Sequence, residues 1–231
     1  MKTLVVGDIH GCLDELLNLL DQARPDLTAG RLVLLGDYID RGPRSYEVVQ
    51  HLRGLRDKYG PDHVVMLRGN HEQMAIDFRE HGDRLWHYNG SRSTRMSLEA
   101  NGASLGELVR FFKTLPLYYQ DEHFIYVHAG LRPGVKLDRQ SEYDLLWIRE
   151  GFYARSWDFG KRVVFGHTPV SYIGGGDDPI IWPHMIALDT GCVNGGALSA
   201  LEIEDDRIIH IHKVPSGIKR RRTRFFKIFN D

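Results

Sequence analysis

Apolar residues in the first third of the chain gather into short continuous runs separated by amphipathic stretches. Residues 4–6, 32–35 and 64–67 read Leu4-Val5-Val6, Leu32-Val33-Leu34-Leu35 and Val64-Val65-Met66-Leu67. A strand that is apolar at consecutive positions is one covered on both faces. Between the first two runs, Leu13, Leu16, Leu17 and Leu20 fall at helical spacing; between the next two, Val48, Leu52 and Leu55 stand at i, i+4 and i+7. A third helix is expected to start near Glu72. Strands alternating with helices predict right-handed crossovers and a mainly parallel sheet.

The pattern then changes. Residues 74–120 carry one clear amphipathic helix, marked by Leu105, Leu108, Val109 and Phe112, and an aromatic-rich stretch from Trp86 to Thr94 that reads as an irregular connection. This region is expected to be a small, mostly helical insertion near the functional crevice. The second half favours strands, at 124–127, 163–165, 185–188, 197–203 and 208–214, the last two joined by Glu204-Asp205-Asp206-Arg207 as a hairpin connection. A second sheet packed on the first follows. The expectation is therefore an α/β chain with one domain over residues 1–214 and a basic tail over 215–231, whose run from Lys219 to Arg224 reads as a solvated terminus.

Composition narrows the class. A length of 231 residues suits one domain with a full core. The formal net charge of -1 leaves no overall field to recruit nucleic acid or an anionic membrane. Two cysteines, Cys12 and Cys192, are too few for a disulfide framework and fit a reducing compartment. The amino terminus offers no secretory signal, and no stretch reaches the roughly 20 apolar residues of a membrane span. A cytoplasmic protein is expected.

The chemistry lies where the runs end. Gly7-Asp8-Ile9-His10-Gly11, Gly36-Asp37-Tyr38-Ile39-Asp40-Arg41-Gly42 and Arg68-Gly69-Asn70-His71-Glu72 each begin at the end of an expected strand. His128-Ala129-Gly130, Trp147-Ile148-Arg149, Gly166-His167-Thr168 and Asp189-Thr190-Gly191 follow in the second half. Ligands of open α/β sheets bind beyond the carboxyl ends of the strands, so these motifs should converge. Asp8 and His10, two apart, reach one cation only if the chain turns, which Gly7 and Gly11 permit. Asp37 at the neighbouring strand end can bridge two cations, with Asn70, His128 and His167 completing the second. Mixed oxygen and imidazole ligands suit manganese, iron or zinc better than calcium. Two such ions about 3.5–4 Å apart can share a water and make it a hydroxide at neutral pH.

This set of motifs resembles the phosphoprotein phosphatase branch of the calcineurin-like metallophosphoesterases, most closely the small bacterial and phage Ser/Thr protein phosphatases, from Leu4 to about Val214. The resemblance implies a metallophosphoesterase-type two-sheet β-sandwich flanked by helices. It implies that Asp8, His10 and Asp37 hold one divalent ion and Asp37, Asn70, His128 and His167 the other, with manganese the first expectation and iron or zinc the alternatives. Arg41 and Arg149 match the family's phosphate-binding arginines, and planar guanidinium groups grip two phosphate oxygens at once; Asn70 is expected to reach the substrate as well. Arg68 reads instead as a structural ion pair. His71 is not needed as a ligand, and an imidazolium can protonate an alkoxide leaving group, with Asp40 holding the ring. The resemblance assigns the same roles to this pair.

Substrate choice follows from the same residues. Relatives that cleave diadenosine tetraphosphate typically read Ala where this chain has Asp40 and Asp where it has Glu72. Asp40 and Glu72 therefore favour phosphomonoesters with poor leaving groups, so phosphoserine and phosphothreonine in proteins or peptides are the expected substrates, with no membrane or nucleic-acid partner. A dinucleoside polyphosphate hydrolase is the alternative, and a non-catalytic scaffold of the same fold a second. Trp86-His87-Tyr88-Asn89-Gly90 resembles the Trp-x-x-Asn-Gly-Gly stretch of bacterial members, with Ser91 in place of the second glycine; it either lines the substrate groove or simply turns the chain. Residues 174–178 read as a loop, either a lid or a solvated connection. Cys12 reads as buried filler, and His184, His210 and His212 as structural.

Overall fold

Each of the three early apolar runs separates two cores, which is why it is apolar without alternation. In the computed structural model, which describes residues 1–155, 157–174 and 176–219, β1 (Lys2–Val6) hydrogen-bonds in parallel to β2 (Arg31–Leu34), and β2 to β3 (Val64–Met66). Val5, Val33 and Val65 point into the space between the two sheets. Leu4, Val6, Leu32, Leu34, Val64 and Met66 point the other way, onto the helices α1 (Leu13–Ala23), α2 (Ser45–Tyr59) and α3 (Asn70–His81).

After α3 the chain forms α4 (Leu85–Tyr88), α5 (Ser91–Ala100) and α6 (Leu105–Phe112), then β4 (Tyr118–Gln120) and β5 (Phe124–Val127). The remaining elements are α7 (Glu142–Trp147), α8 (Glu150–Tyr153), β6 (Arg162–Phe165), β7 (Ile180–Ile181), β8 (Met185–Ala187), β9 (Ala197–Glu204) and β10 (Arg207–Pro215). The sheets are ordered β10-β9-β1-β2-β3 and β4-β5-β6-β8-β7. Phe124, Tyr126, Val164, Ile186, Leu201 and Ile203 fill the space between them. Ile125, Val127, Val163, Phe165 and Met185 face outward onto α7 and α8, through Leu145 and Phe152. The result is an α/β sandwich of two mixed sheets flanked by helices.

Three features depart from the sequence reading. Only β1, β2 and β3 in one sheet and β5, β6 and β8 in the other pair in parallel; β9 pairs antiparallel with both β1 and β10, β4 with β5, and β7 with β8. The stretch from Trp86 to Thr94 is helical for most of its length, as α4 and the start of α5, whereas α3 begins at Asn70, within two residues of its expected start. The edge strands β4 and β7 span three and two residues, too short to leave a pattern. The hairpin between β9 and β10 turns at Asp205, whose φ is 53°. No helix among the described residues is long and apolar enough to cross a membrane. Of the expected basic run only Lys219 lies within the described residues.

Parallel register sets the site. Val6 pairs with Leu34 and Leu34 with Met66; in the other sheet Val127 pairs with Phe165 and Phe165 with Ala187. The carboxyl ends of β1, β2, β3, β5, β6 and β8 therefore finish level with one another, and the motifs that follow them share one end of the sandwich.

Candidate active site

Tight turns present the polar side chains. Among the described residues seven non-glycine residues have positive φ, and five are predicted site residues: His10 (48°), Asp37 (53°), Asp40 (74°), Arg41 (68°) and His167 (63°). Left-handed backbone is costly for residues with a Cβ and collects where function requires it. The turns interlock: His10 and Gly11 donate backbone N–H groups to Asp37 O and Tyr38 O. A Cβ on Gly42 would strike His10 O, and one on Gly69 would strike the Asp37 side chain, so only glycine allows these turns to pass each other.

Glu72 fixes the second turn. Its carboxylate accepts backbone N–H groups from Asp37 (2.9 Å), Tyr38 (2.8 Å), Ile39 (3.4 Å) and Gly69 (2.9 Å). Asp37 in turn accepts the His71 N–H at 3.0 Å, so the strand ends of β2 and β3 are cross-tied beneath the side chains.

Asp37 lies between two groups of donors. With His10 and His71 it forms one set of mutually close ligand atoms, and with His128 and His167 another. His10 Nδ1 bonds to Ile39 O at 2.7 Å and His128 Nδ1 to Leu35 O at 2.9 Å. A carbonyl oxygen only accepts, so both Nδ1 atoms carry the proton. Burial pushes the pKa of His10 well below the usual value, assisted by Arg41 and His71, and burial lowers that of His128. Each neutral ring thus leaves Nε2 as an acceptor 3.4 Å from one Asp37 carboxylate oxygen; that of His10 takes an N–H from Arg41. His128 Nε2 also lies 2.9 Å from Asn70 Oδ1. For His128, a lone pair facing oxygens at these distances is repulsive unless a cation lies between them, so the donor set fits divalent metal. His167 agrees: its Nε2 is buried without a partner, its Nδ1 lies 3.1 Å from Asn70 Oδ1, and burial, then His128 and Arg149, holds it well below the usual imidazole range.

Asp8 sits outside both groups, its two oxygens accepting the His167 N–H at 3.2 and 3.0 Å. Burial, then Asp189 and Asp37, pushes its carboxyl well above the usual range. Asp189 is the residue the sequence reading left without a role: it stands buried beside Asp8, pushed up to about 6 by burial and by Asp37. Only its place at the end of β8 signalled it.

His71, 1% exposed, presents Nδ1 to Asp40 Oδ2 at 2.7 Å and Nε2 to Asp37 Oδ2 at 3.9 Å. A carboxylate accepts, so Nδ1 carries a proton here as well. Arg41 Nη1 donates to His10 Nε2 at 2.9 Å. Arg149 Nη1 donates to Thr168 Oγ1 at 3.0 Å and, at 3.4 Å, to His167 O. The two guanidinium groups thus border the His10 and the His167 sides of the cluster. Arg68 pairs with Gln73 Oε1 at 2.6 Å and Glu142 at 3.7 Å, the structural role the sequence suggested. Trp86 is fully buried beneath Asp40 rather than lining a groove, and Gly90, at φ 101°, accepts the Arg41 N–H at 3.2 Å. Cys12 and Cys192 are buried free thiols.

Comparison with known proteins identifies the family. The family described as calcineurin-like phosphoesterase matches residues 1–211. A serine/threonine-protein phosphatase 1 from Salmonella typhimurium is 34% identical over 211 residues, covering 87% of this chain and 91% of that one. A symmetrical bis(5'-nucleosyl)-tetraphosphatase from Psychromonas ingrahamii is 31% identical over 280 residues, covering 90% and 95%. A crystal structure described as that of a candidate diadenosine tetraphosphatase superposes with a TM-score of 0.71 at 25% identity, over 93% of each chain.

Proposed function

Because the chain belongs to the calcineurin-like phosphoesterase family, we propose that it is a metal-dependent phosphomonoesterase acting on phosphoserine and phosphothreonine in proteins or peptides. Two divalent cations, manganese the first candidate, held by Asp8, His10 and Asp37 and by Asp37, Asn70, His128 and His167, would supply Lewis-acid charge and a water ionised at neutral pH. Arg41 and Arg149 grip the phosphoryl oxygens and offset charge as it grows in the transition state. Asn70, shared between His128 and His167, contributes its amide to the same group. His71 gives a proton to the departing serine or threonine oxygen.

The observation that carries this reading is the His71–Asp40 contact of 2.7 Å between two side chains that are 1% and 0% exposed. A buried, paired imidazole beside the cluster serves a leaving group that needs a proton. A nucleotide phosphate, being far less basic, needs none.

The relatives favour a second reading, since homologues bearing a tetraphosphatase name outnumber those named for protein phosphatase activity. Dinucleoside tetraphosphate hydrolysis would use the same cations and arginines. Phosphate release from phosphoserine and phosphothreonine peptides, measured beside chromatography of diadenosine tetraphosphate incubations in manganese, decides between them. The expected result is a kcat/KM at least tenfold higher on the peptides; the reverse preference overturns the proposal.

Residues 1–214 are read as one catalytic domain with 74–120 as its helical insertion. A cytoplasmic location fits Cys12 and Cys192, buried thiols outside any disulfide.

A further inference from the structure

The helical segment after α3 reaches back to the site at Asp40. Trp86, from α4 and fully buried, donates its indole N–H to Asp40 Oδ2 at 2.8 Å. Thr94, fully buried in α5, donates its hydroxyl to Asp40 Oδ1 at 2.5 Å and accepts the Asp40 backbone N–H at 2.9 Å. Ser45 Oγ accepts the same N–H at 3.0 Å. With His71 Nδ1 also on Oδ2, both oxygens of a carboxylate that water does not reach are occupied, and from three different helices.

Hydrogen bonds to a buried carboxylate are stronger than neutral ones; losing that of Thr94 leaves Oδ1 unpaired where no solvent replaces it, and losing that of Trp86 leaves Oδ2 to His71 alone. Here they also act as a geometric lock. The Asp40 carboxylate cannot turn about its own axis without breaking the Trp86 or the Thr94 bond. The imidazole that it holds therefore keeps one plane, and Nε2 keeps one direction. Trp86 packs its ring on Phe78, with centroids 5.3 Å apart, so the indole brings volume and a single polar edge aimed at Asp40. A phenylalanine would give that volume without the donor.

We propose that Trp86 and Thr94 are positioning residues for proton transfer to the leaving oxygen, and that through them α4 and α5 determine that the site cleaves esters of poorly departing alkoxides. The inference rests on the reading of His71 as the acid, and it assigns the Trp86–Thr94 stretch a role in specificity from beneath the site.

The test uses the full chain loaded with manganese and four variants: Trp86→Phe, Thr94→Val, Thr94→Ser and His71→Asn. Each is assayed on a phosphoserine peptide, whose leaving group is an alkoxide, and on p-nitrophenyl phosphate, whose leaving group departs unaided. Trp86→Phe and Thr94→Val should lower kcat on the peptide about tenfold more than on the aryl ester, with KM changed less than about twofold. Thr94→Ser, which keeps the hydroxyl, should restore the peptide rate. Equal losses on both esters, or no recovery in Thr94→Ser relative to Thr94→Val, overturn the inference. His71→Asn separates the two levels. Equal losses there defeat the acid reading itself, whereas selective loss in His71→Asn without it in Trp86→Phe and Thr94→Val defeats only the positioning role. Should Trp86→Phe fail to fold, the two Thr94 variants carry the comparison.

Discussion

Glu72 Oε2 accepts the backbone N–H of Asp37 across 2.9 Å, tying the first turn of α3 to the turn that follows β2. The carboxylate has four N–H donors around it and no acceptor among them. Glu72→Gln must therefore place an amide N–H₂ against backbone N–H groups. In manganese, the urea midpoint should drop by the equivalent of about 2–3 kcal/mol, and manganese affinity should fall with it because Asp37 loses its support. An unchanged midpoint would show that the turn is held by other means.

The metal-free protein should lose stability as pH rises from about 7.5 to 8.5. Without cations beside Asp37, burial and the charge of Asp37 outweigh the backbone N–H groups and push the Glu72 carboxyl up to about 8, and burial, then Asp189 and Asp37, pushes Asp8 well above its usual range. Groups whose folded pKa is raised hold protons that the unfolded chain has already lost, so stability declines as pH climbs through that window. The lowered histidines His10, His128 and His167 act the other way until the unfolded imidazoles have lost their protons, about one unit above 6.5, so the decline is read above that point. Thermal melts at about pH 7.5 and 8.5 with and without manganese test this: the decline should be present in chelator and absent in manganese. Calorimetry in buffers of different ionisation heat should show protons released on metal binding.

Arg149→Ala should cut kcat/KM by about 10²–10³ while leaving the melting temperature within a few degrees, because among the described residues the exposed side chain bonds to Thr168 and His167 O. Arg149→Lys should recover little, as an ammonium cannot contact two phosphoryl oxygens in one plane. Steady-state kinetics together with inhibition by inorganic phosphate provide the measurement; a KM effect alone with kcat intact would place Arg149 in binding only.

Arg132 clasps Asp144 through two bonds, from Nε at 2.8 Å and Nη2 at 2.5 Å, and Ser141 adds a third at 2.7 Å. This joins α7, which leads to Arg149, to the loop after His128. The Arg132 bonds, against burial, hold the Asp144 carboxyl below its usual range. A depressed carboxyl stabilises above its unfolded pKa of about 3.9 and stops doing so as pH falls through the folded value. Asp144→Asn should melt lower than the parent at pH 7, and the gap should begin to narrow as pH falls below about 4. A gap of undiminished size at about pH 3 would mean that the loss comes from packing.

The strands were legible because burial on two faces writes itself as unbroken apolar runs. β1, β2, β3, β5 and β6 lie within two residues of where those runs placed them. The helical nature of Trp86 to Tyr88 was not legible. One turn of helix has too few residues to show a period, and it forms because Trp86 has a partner 46 positions away. The sequence also placed Trp86 at the substrate only as one of two options, since nothing local marks an indole N–H as needed by Asp40. Positive φ at His10, Asp37, Asp40, Arg41 and His167 left no trace either, apart from the glycines Gly11, Gly36 and Gly42 beside them.

Residue types and their order determined the chemistry. Carboxylates, imidazoles, an amide and guanidinium groups stand at successive strand ends, and parallel strands in register bring strand ends together whatever lies between. Tertiary structure alone decided the roles. Which nitrogen of each imidazole faces Asp37 depends on carbonyls such as Ile39 O and Leu35 O. An indole and a hydroxyl folded over from two other helices occupy the oxygens of Asp40 beside His71. A side chain's type is local, but its protonation and its aim are set by neighbours that only folding supplies.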